Sequence, residues 1–147
     1  YIGHCLGSVW GFSNGGEIHS YQGTGTIPHE SNHYLFAQVR EDAPVFLLEG
    51  IQKWYENSIT PGALEQAKQV AIKFTEEDLT DMITTGEGFF TYDNKYYTLS
   101  GVFVDYLIEL YGLDKFKELY SIDPLHALQA YEKTYGIPLD GILTGYR

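Results

Sequence analysis

The chain has 147 residues, enough for one domain with a real core and too few to divide comfortably into two. Its 44% hydrophobic and 16% aromatic content, with 13 Tyr, argues against a disordered chain. Nine basic against 20 acidic residues give a net charge of −11, which speaks against a nucleic-acid partner and against anionic membrane surfaces. No apolar run approaches the ~20 residues that span a bilayer, so no membrane span is expected. The single cysteine, Cys5, excludes an internal disulfide and any multi-Cys zinc site. The chain begins at Tyr1 with no charged leader before an apolar stretch, and it reads either as a whole domain or as a fragment of a longer chain.

In chain order, the first 27 residues hold seven Gly and several turn pairs. Between the Gly clusters, Glu17 to Gln22 predicts a short strand, the only good strand candidate. Thr26 as N-cap and Pro28 in the first turn predict a helix running to about Val39. Glu41-Asp42-Ala43-Pro44 marks a break, followed by a helix from Val45 to Glu56. Thr60-Pro61-Gly62 opens another over about Ala63 to Phe74, and Thr75 with Asp78 three residues later predicts a capped short helix. Thr84 to Lys95 is Gly-rich, aromatic and loop-like. Helices follow over Leu99 to Tyr111, ended by Gly112, over Asp114 to Tyr120, and from Asp123-Pro124 to Tyr135, stopped by Gly136. Ile137 to Asp140 leads into a last short turn. The expected class is mainly α (α+β): a single domain with a Gly-rich β and loop part over 1–27 and a helical part over 28–147.

The strongest chemical signal is His29-Glu30-Ser31-Asn32-His33. On a helix, His29 and His33 stand one turn apart on one face and can reach one metal ion. Glu30 lies beside them but off the ligand axis, the position of a base acting on a water that the metal activates. The plain alternative is two surface histidines flanking a chance Glu. A catalytic zinc needs a third protein ligand. Glu49 comes sixteen residues after His33, on the next predicted helix and among Leu47, Leu48 and Ile51. An ordinary solvated Glu does not sit among core residues, and a buried carboxylate wants a cation or hydrogen bonds.

These segments resemble the gluzincin metallopeptidases, the thermolysin-like group that includes aminopeptidase N. That group pairs H-E-x-x-H with a downstream helix of the form W-L-x-E-G-x-x-x-a-x-E, where a is aromatic. Here Phe46 replaces the Trp, while Leu47, Glu49, Gly50, Trp54 and Glu56 fall in register. The gap from histidine to Glu is a few residues shorter than in aminopeptidase N and closer to small bacterial peptidase-like domains. Tyr97 to Leu107 and the ending from Tyr135 to Asp140 also resemble the group, so the likeness covers about Gly23 to Arg147. Most of the usual β-rich N-terminal portion is lacking.

The resemblance implies a zincin-like catalytic domain with one zinc ion, held by His29, His33 and Glu49, and Glu30 as general base. It also implies a Tyr placed just before a helix as donor to the oxyanion. Alignment through Tyr106-Leu107 puts Tyr97 there, with Tyr96 and Tyr92 as competitors. Glu56, two turns beyond Glu49 on the same face, is a candidate to accept from a ligand histidine, or else a solvated helix-end carboxylate. His4, His19 and His126 lack ligand company and read as structural, with His19 in the expected strand near where substrate lies in zincins. The implied partner is a peptide or protein substrate, and the implied setting is secreted or cell-surface. Endopeptidase or aminopeptidase action and the oligomeric state stay open. The rival reading is a peptidase-like binding module without activity that keeps the metal site. A helical interaction domain with a coincidental motif is a more remote third.

Overall fold

Leu99, Phe103, Val104 and Leu107 repeat at three- and four-residue spacing, and all four are 0% exposed in a computed structural model of the chain. They belong to the helix around which the others are arranged. The structure describes residues 2–6, 9–14, 17–20, 36, 43–85, 89, 95–122 and 127–146. Among them are three strands, β1 (Ile2–Leu6), β2 (Val9–Asn14) and β3 (Glu17–Ser20). They form an antiparallel meander, with Cys5 opposite Trp10 and Phe12 opposite His19. Seven helices follow among the described residues: α1 (Val45–Ile59), α2 (Ala63–Ala71), α3 (Glu76–Thr84), α4 (Lys95–Tyr111), α5 (Leu113–Tyr120), α6 (Ala127–Tyr135) and α7 (Leu139–Tyr146). The chain is therefore mainly helical. No helix among the described residues is long and apolar enough to cross a membrane.

Local chemistry sets most boundaries. Pro44 precedes α1, and its carbonyl accepts from the N–H groups of Leu47 and Leu48 at 2.9 and 3.0 Å. Thr75 and Asp78 close the expected capping box at the start of α3. Gly112 and Gly136 stop α4 and α6 at φ 88° and 71°, where a side chain would be strained. Three expectations shift. The early Gly-rich stretch holds two strands ahead of Glu17. The last short turn is the eight-residue helix α7. And α4 begins at Lys95, a turn before Leu99. Tertiary contacts hold that extra turn: Lys95 pairs with Asp78, Tyr96 donates to the Asp81 carboxylate, and the Lys95 ammonium lies 5.8 Å from the Phe74 ring centre.

The central packing is α1 on α4. A Cβ on Gly50 would come within 2.8 Å of Val104 Cγ2 and 2.9 Å of the Ser100 carbonyl oxygen. A Cβ on Gly101 would come within 2.9 Å of Lys53 Cβ. Two glycines on facing helices thus let the backbones approach closely. Trp54 Nε1 donates to Asp105 Oδ1 at 3.1 Å across the same interface. Asp105 also pairs with Lys68 of α2 at 2.9 Å, joining three helices at one carboxylate. At the other end, the Tyr146 ring stands edge-on to Tyr106 and Phe103, which seats α7 on α4.

Candidate functional site

Glu49 is the one implied zinc ligand within the described residues; His29, Glu30 and His33 lie outside them, as do Tyr92 and His126. Glu49 is 1% exposed, in the second turn of α1, with Phe46, Leu47, Leu48 and Ile51 buried around it. Apolar side chains cannot solvate a carboxylate, so this setting demands a cation or donors. Two neutral imidazoles and a carboxylate form a common donor set for catalytic zinc, and the Glu49 setting fits the carboxylate member of it. Among the described residues alone no three His, Cys, Asp or Glu side chains converge.

Phe36, three residues after His33, is helical, and its ring centre lies 5.7 Å from that of Tyr120. Tyr120 is 2% exposed, and its phenol is pushed well above its usual pKa, first by burial and then by the charge of Glu49. Phe36 and the Glu49 carboxylate thus both lie close to Tyr120. Sequence reading passed over Tyr120, because nothing marks it out among 13 Tyr.

Tyr97 lies inside the first turn of α4 and not ahead of it. It is buried, its hydroxyl donates to the Phe89 carbonyl at 3.3 Å, and its ring meets Phe89 edge-on at 5.3 Å. Ser100, whose Oγ donates to the Tyr97 carbonyl, has its own carbonyl oxygen 2.9 Å from where a Cβ on Gly50 would stand. Tyr97 and Glu49 are therefore near the same crossing of α1 and α4. The competing Tyr96 has its hydroxyl on Asp81 of α3. Glu56 is three-quarters buried and accepts from Lys53 Nζ at 3.0 Å.

Gln52, also unremarked in the sequence, completes the polar stripe of α1. It is 0% exposed, and neither amide atom has a hydrogen-bond partner among the described residues. Its signal was available: a polar side chain three residues after Glu49, between Ile51 and Trp54, repeats the face that Glu49 occupies.

No known family, curated protein or solved structure matches this chain. The case for a site therefore rests on its own residues. Two surface hollows are distinct from it, and neither Glu49 nor Tyr97 lines them. One, of about 640 Å³, is walled by Glu76, Glu77, Asp78, Asp81 and Tyr96. The other, of about 430 Å³, lies between α2, α4 and α7 around Lys68, Asp105 and Tyr146. Asp78 of the first is paired with Lys95, and Asp105 of the second with Lys68.

Proposed function

We propose that the chain is a zincin-like domain that hydrolyses peptide bonds, with one zinc ion held by His29, His33 and Glu49. The observation that carries this reading is Glu49, a carboxylate 1% exposed on an apolar helix face, sixteen residues after a His-Glu-x-x-His sequence. The packing of Phe36 on Tyr120, whose phenol feels the Glu49 charge, supports a histidine segment close by. A zinc ion in this donor set supplies Lewis acidity and lowers the pKa of a coordinated water to about 7.

The remaining work falls to the chain. Glu49 neutralises one charge and, because it is buried, keeps its carboxylate fixed in direction. Glu30 takes the proton of the attacking water and passes it to the leaving amine. Tyr97 donates to the oxygen that gains charge in the transition state. A phenol has one proton to donate, so Tyr97 must release the Phe89 carbonyl to do this.

That same bond favours a second reading, a peptidase-like module that binds a peptide at the metal site without cleaving it. Zinc analysis of wild type and Glu30→Gln, paired with digestion of a mixed peptide pool, separates the two. Hydrolysis predicts one zinc per chain in both proteins and cleavage by wild type alone. Zinc without cleavage by wild type selects the binding module. Absence of zinc from wild type removes both.

A further inference from the structure

The hollow of about 430 Å³ between α2, α4 and α7 is of a size that small ligands use, roughly 300–1,000 Å³. Ile72, Phe74, Leu79 and Val102 give it an apolar wall. Tyr106 and Tyr146 add two rings that stand edge-on, 5.2 Å apart. Ile72 is three-quarters exposed, so part of this wall is apolar surface that the fold leaves open. The charged groups lining the hollow are Lys68, Asp105 and Glu109. Asp105 is committed on both oxygens, to Trp54 at 3.1 Å and to Lys68 at 2.9 Å. Lys68 is committed in turn: its pKa is raised, first by Asp105 and then by the charges of Glu109 and Glu65. Glu109 stands 3.7 Å from Lys68, too far for a hydrogen bond, and its side chain is three-quarters exposed. One ammonium against two carboxylates leaves a negative charge in excess, and it resides on Glu109. Lys95, near the Phe74 ring, is paired with Asp78 and does not cancel it. The chain's net charge of −11 acts in the same direction.

We propose that this hollow binds a small organic ammonium ion with an aromatic body, the body against the apolar wall and the cationic head drawn to Glu109 and the two tyrosine rings. Tyrosine rings attract cations over their faces, and Glu109 supplies a counter-charge that no ion pair of the fold consumes. An anionic ligand would meet the excess negative charge. It would also have to draw Lys68 away from Asp105, leaving a largely buried carboxylate without its cation. The site is independent of the zinc reading, since neither Glu49 nor Tyr97 lines it.

The test compares two probes with the same benzyl body and a tetrahedral head of opposite charge, benzyltrimethylammonium and phenylmethanesulfonate. The quaternary head cannot coordinate a metal, so its binding reports on this hollow and not on a zinc ion. Binding is followed through the amide chemical shifts of the full chain. The ammonium probe should produce saturable shifts centred on Ile72, Val102 to Glu109 and Tyr146, and the sulfonate should bind about 10-fold more weakly or not at all. Glu109 is exposed, so Glu109→Lys should fold as wild type does. It should weaken the ammonium probe by about 10-fold and raise the sulfonate above it. Absence of saturable shifts from the ammonium probe overturns the proposal. Shifts centred elsewhere overturn it too. Equal or tighter binding of the sulfonate by wild type overturns it, because Lys68 would then be the anchor. Unchanged affinity for the ammonium probe in Glu109→Lys overturns it as well, since the apolar wall alone would be holding the ring.

Discussion

Helices α1 and α3 handle their acids in opposite ways. In α3, Glu76, Glu77 and Asp78 fill the first turn, where free N–H groups and the positive end of the helix favour negative charge. Asp78 closes the capping box and pairs with Lys95, and Asp81 accepts from Tyr96. In α1 the first turn carries no acid. Its Glu49 comes a turn later, buried among apolar residues, with Gln52 buried one turn on. The acids of α3 sit where the helix end and its cap favour them, whereas Glu49 and Gln52 sit inside the packing of α1. The proposed zinc ligand is accordingly on α1. The acid-lined hollow beside α3 is roomier, but its charges already serve the fold.

The sharpest way to break this contrast is to remove one acid from each helix. Glu49→Ala should lose the zinc and all peptide cleavage, while Asp78→Ala should keep both, as read by metal analysis and peptide digestion. Retained zinc in Glu49→Ala would erase the distinction.

The two adjacent tyrosines extend it. Tyr97→Phe should cut kcat by about 10²–10³ with KM little changed, because one donor to the transition state is lost. Tyr96→Phe, whose hydroxyl belongs to α3, should leave kcat alone. Equal loss in both would move the donor away from Tyr97.

A smaller effect probes the α1 side of the packing. Gly50→Ala forces a methyl group to within 2.9 Å of the Ser100 carbonyl and should destabilise the fold by about 1–3 kcal/mol in urea denaturation. A neutral result would show that α1 can shift on α4.

The smallest effect belongs to α3. Hydrogen bonding to Lys95, and then to the Thr75 backbone, holds the Asp78 carboxyl below its usual 3.8. Its folded pKa lies below its unfolded one, so its contribution is complete above about pH 4 and fades as pH falls through the folded value. Asp78→Asn should flatten that acid-side slope in a pH series of unfolding curves. Thr75→Ala should cost about 1 kcal/mol by losing the cap.

The helical part was legible in the sequence where local signals act alone. Pro44, the Thr75–Asp78 box, Gly112 and Gly136 each fix a boundary through backbone chemistry. The first turn of α4 was not legible, because it is held by Asp78 and Asp81, far away in sequence. That turn also moved Tyr97 into the helix. Strands β1 and β2 were hidden because Gly3, Gly7 and Gly11 read as turn residues, whereas strand pairing depends on partners. At the site, Glu49 was found through its apolar neighbours. Tyr120 was missed because burial of a polar side chain is a tertiary property, visible only once the helices are assembled, whereas Gln52 was passed over although its spacing from Glu49 marked it.

The paired glycines at the centre have a consequence for hydrogen exchange. With Gly50 on Ser100 and Gly101 on Lys53, α1 and α4 meet backbone to side chain with no layer between them that can open separately. The amides of Phe46 to Ile51 and Leu99 to Leu107 should then exchange together, at one free energy equal to that of global unfolding. The exposed amides around Gln66 and Gln69 in α2 should exchange long before. Glu49, Gln52 and Tyr97 would thus be carried on the last part of the molecule to come apart.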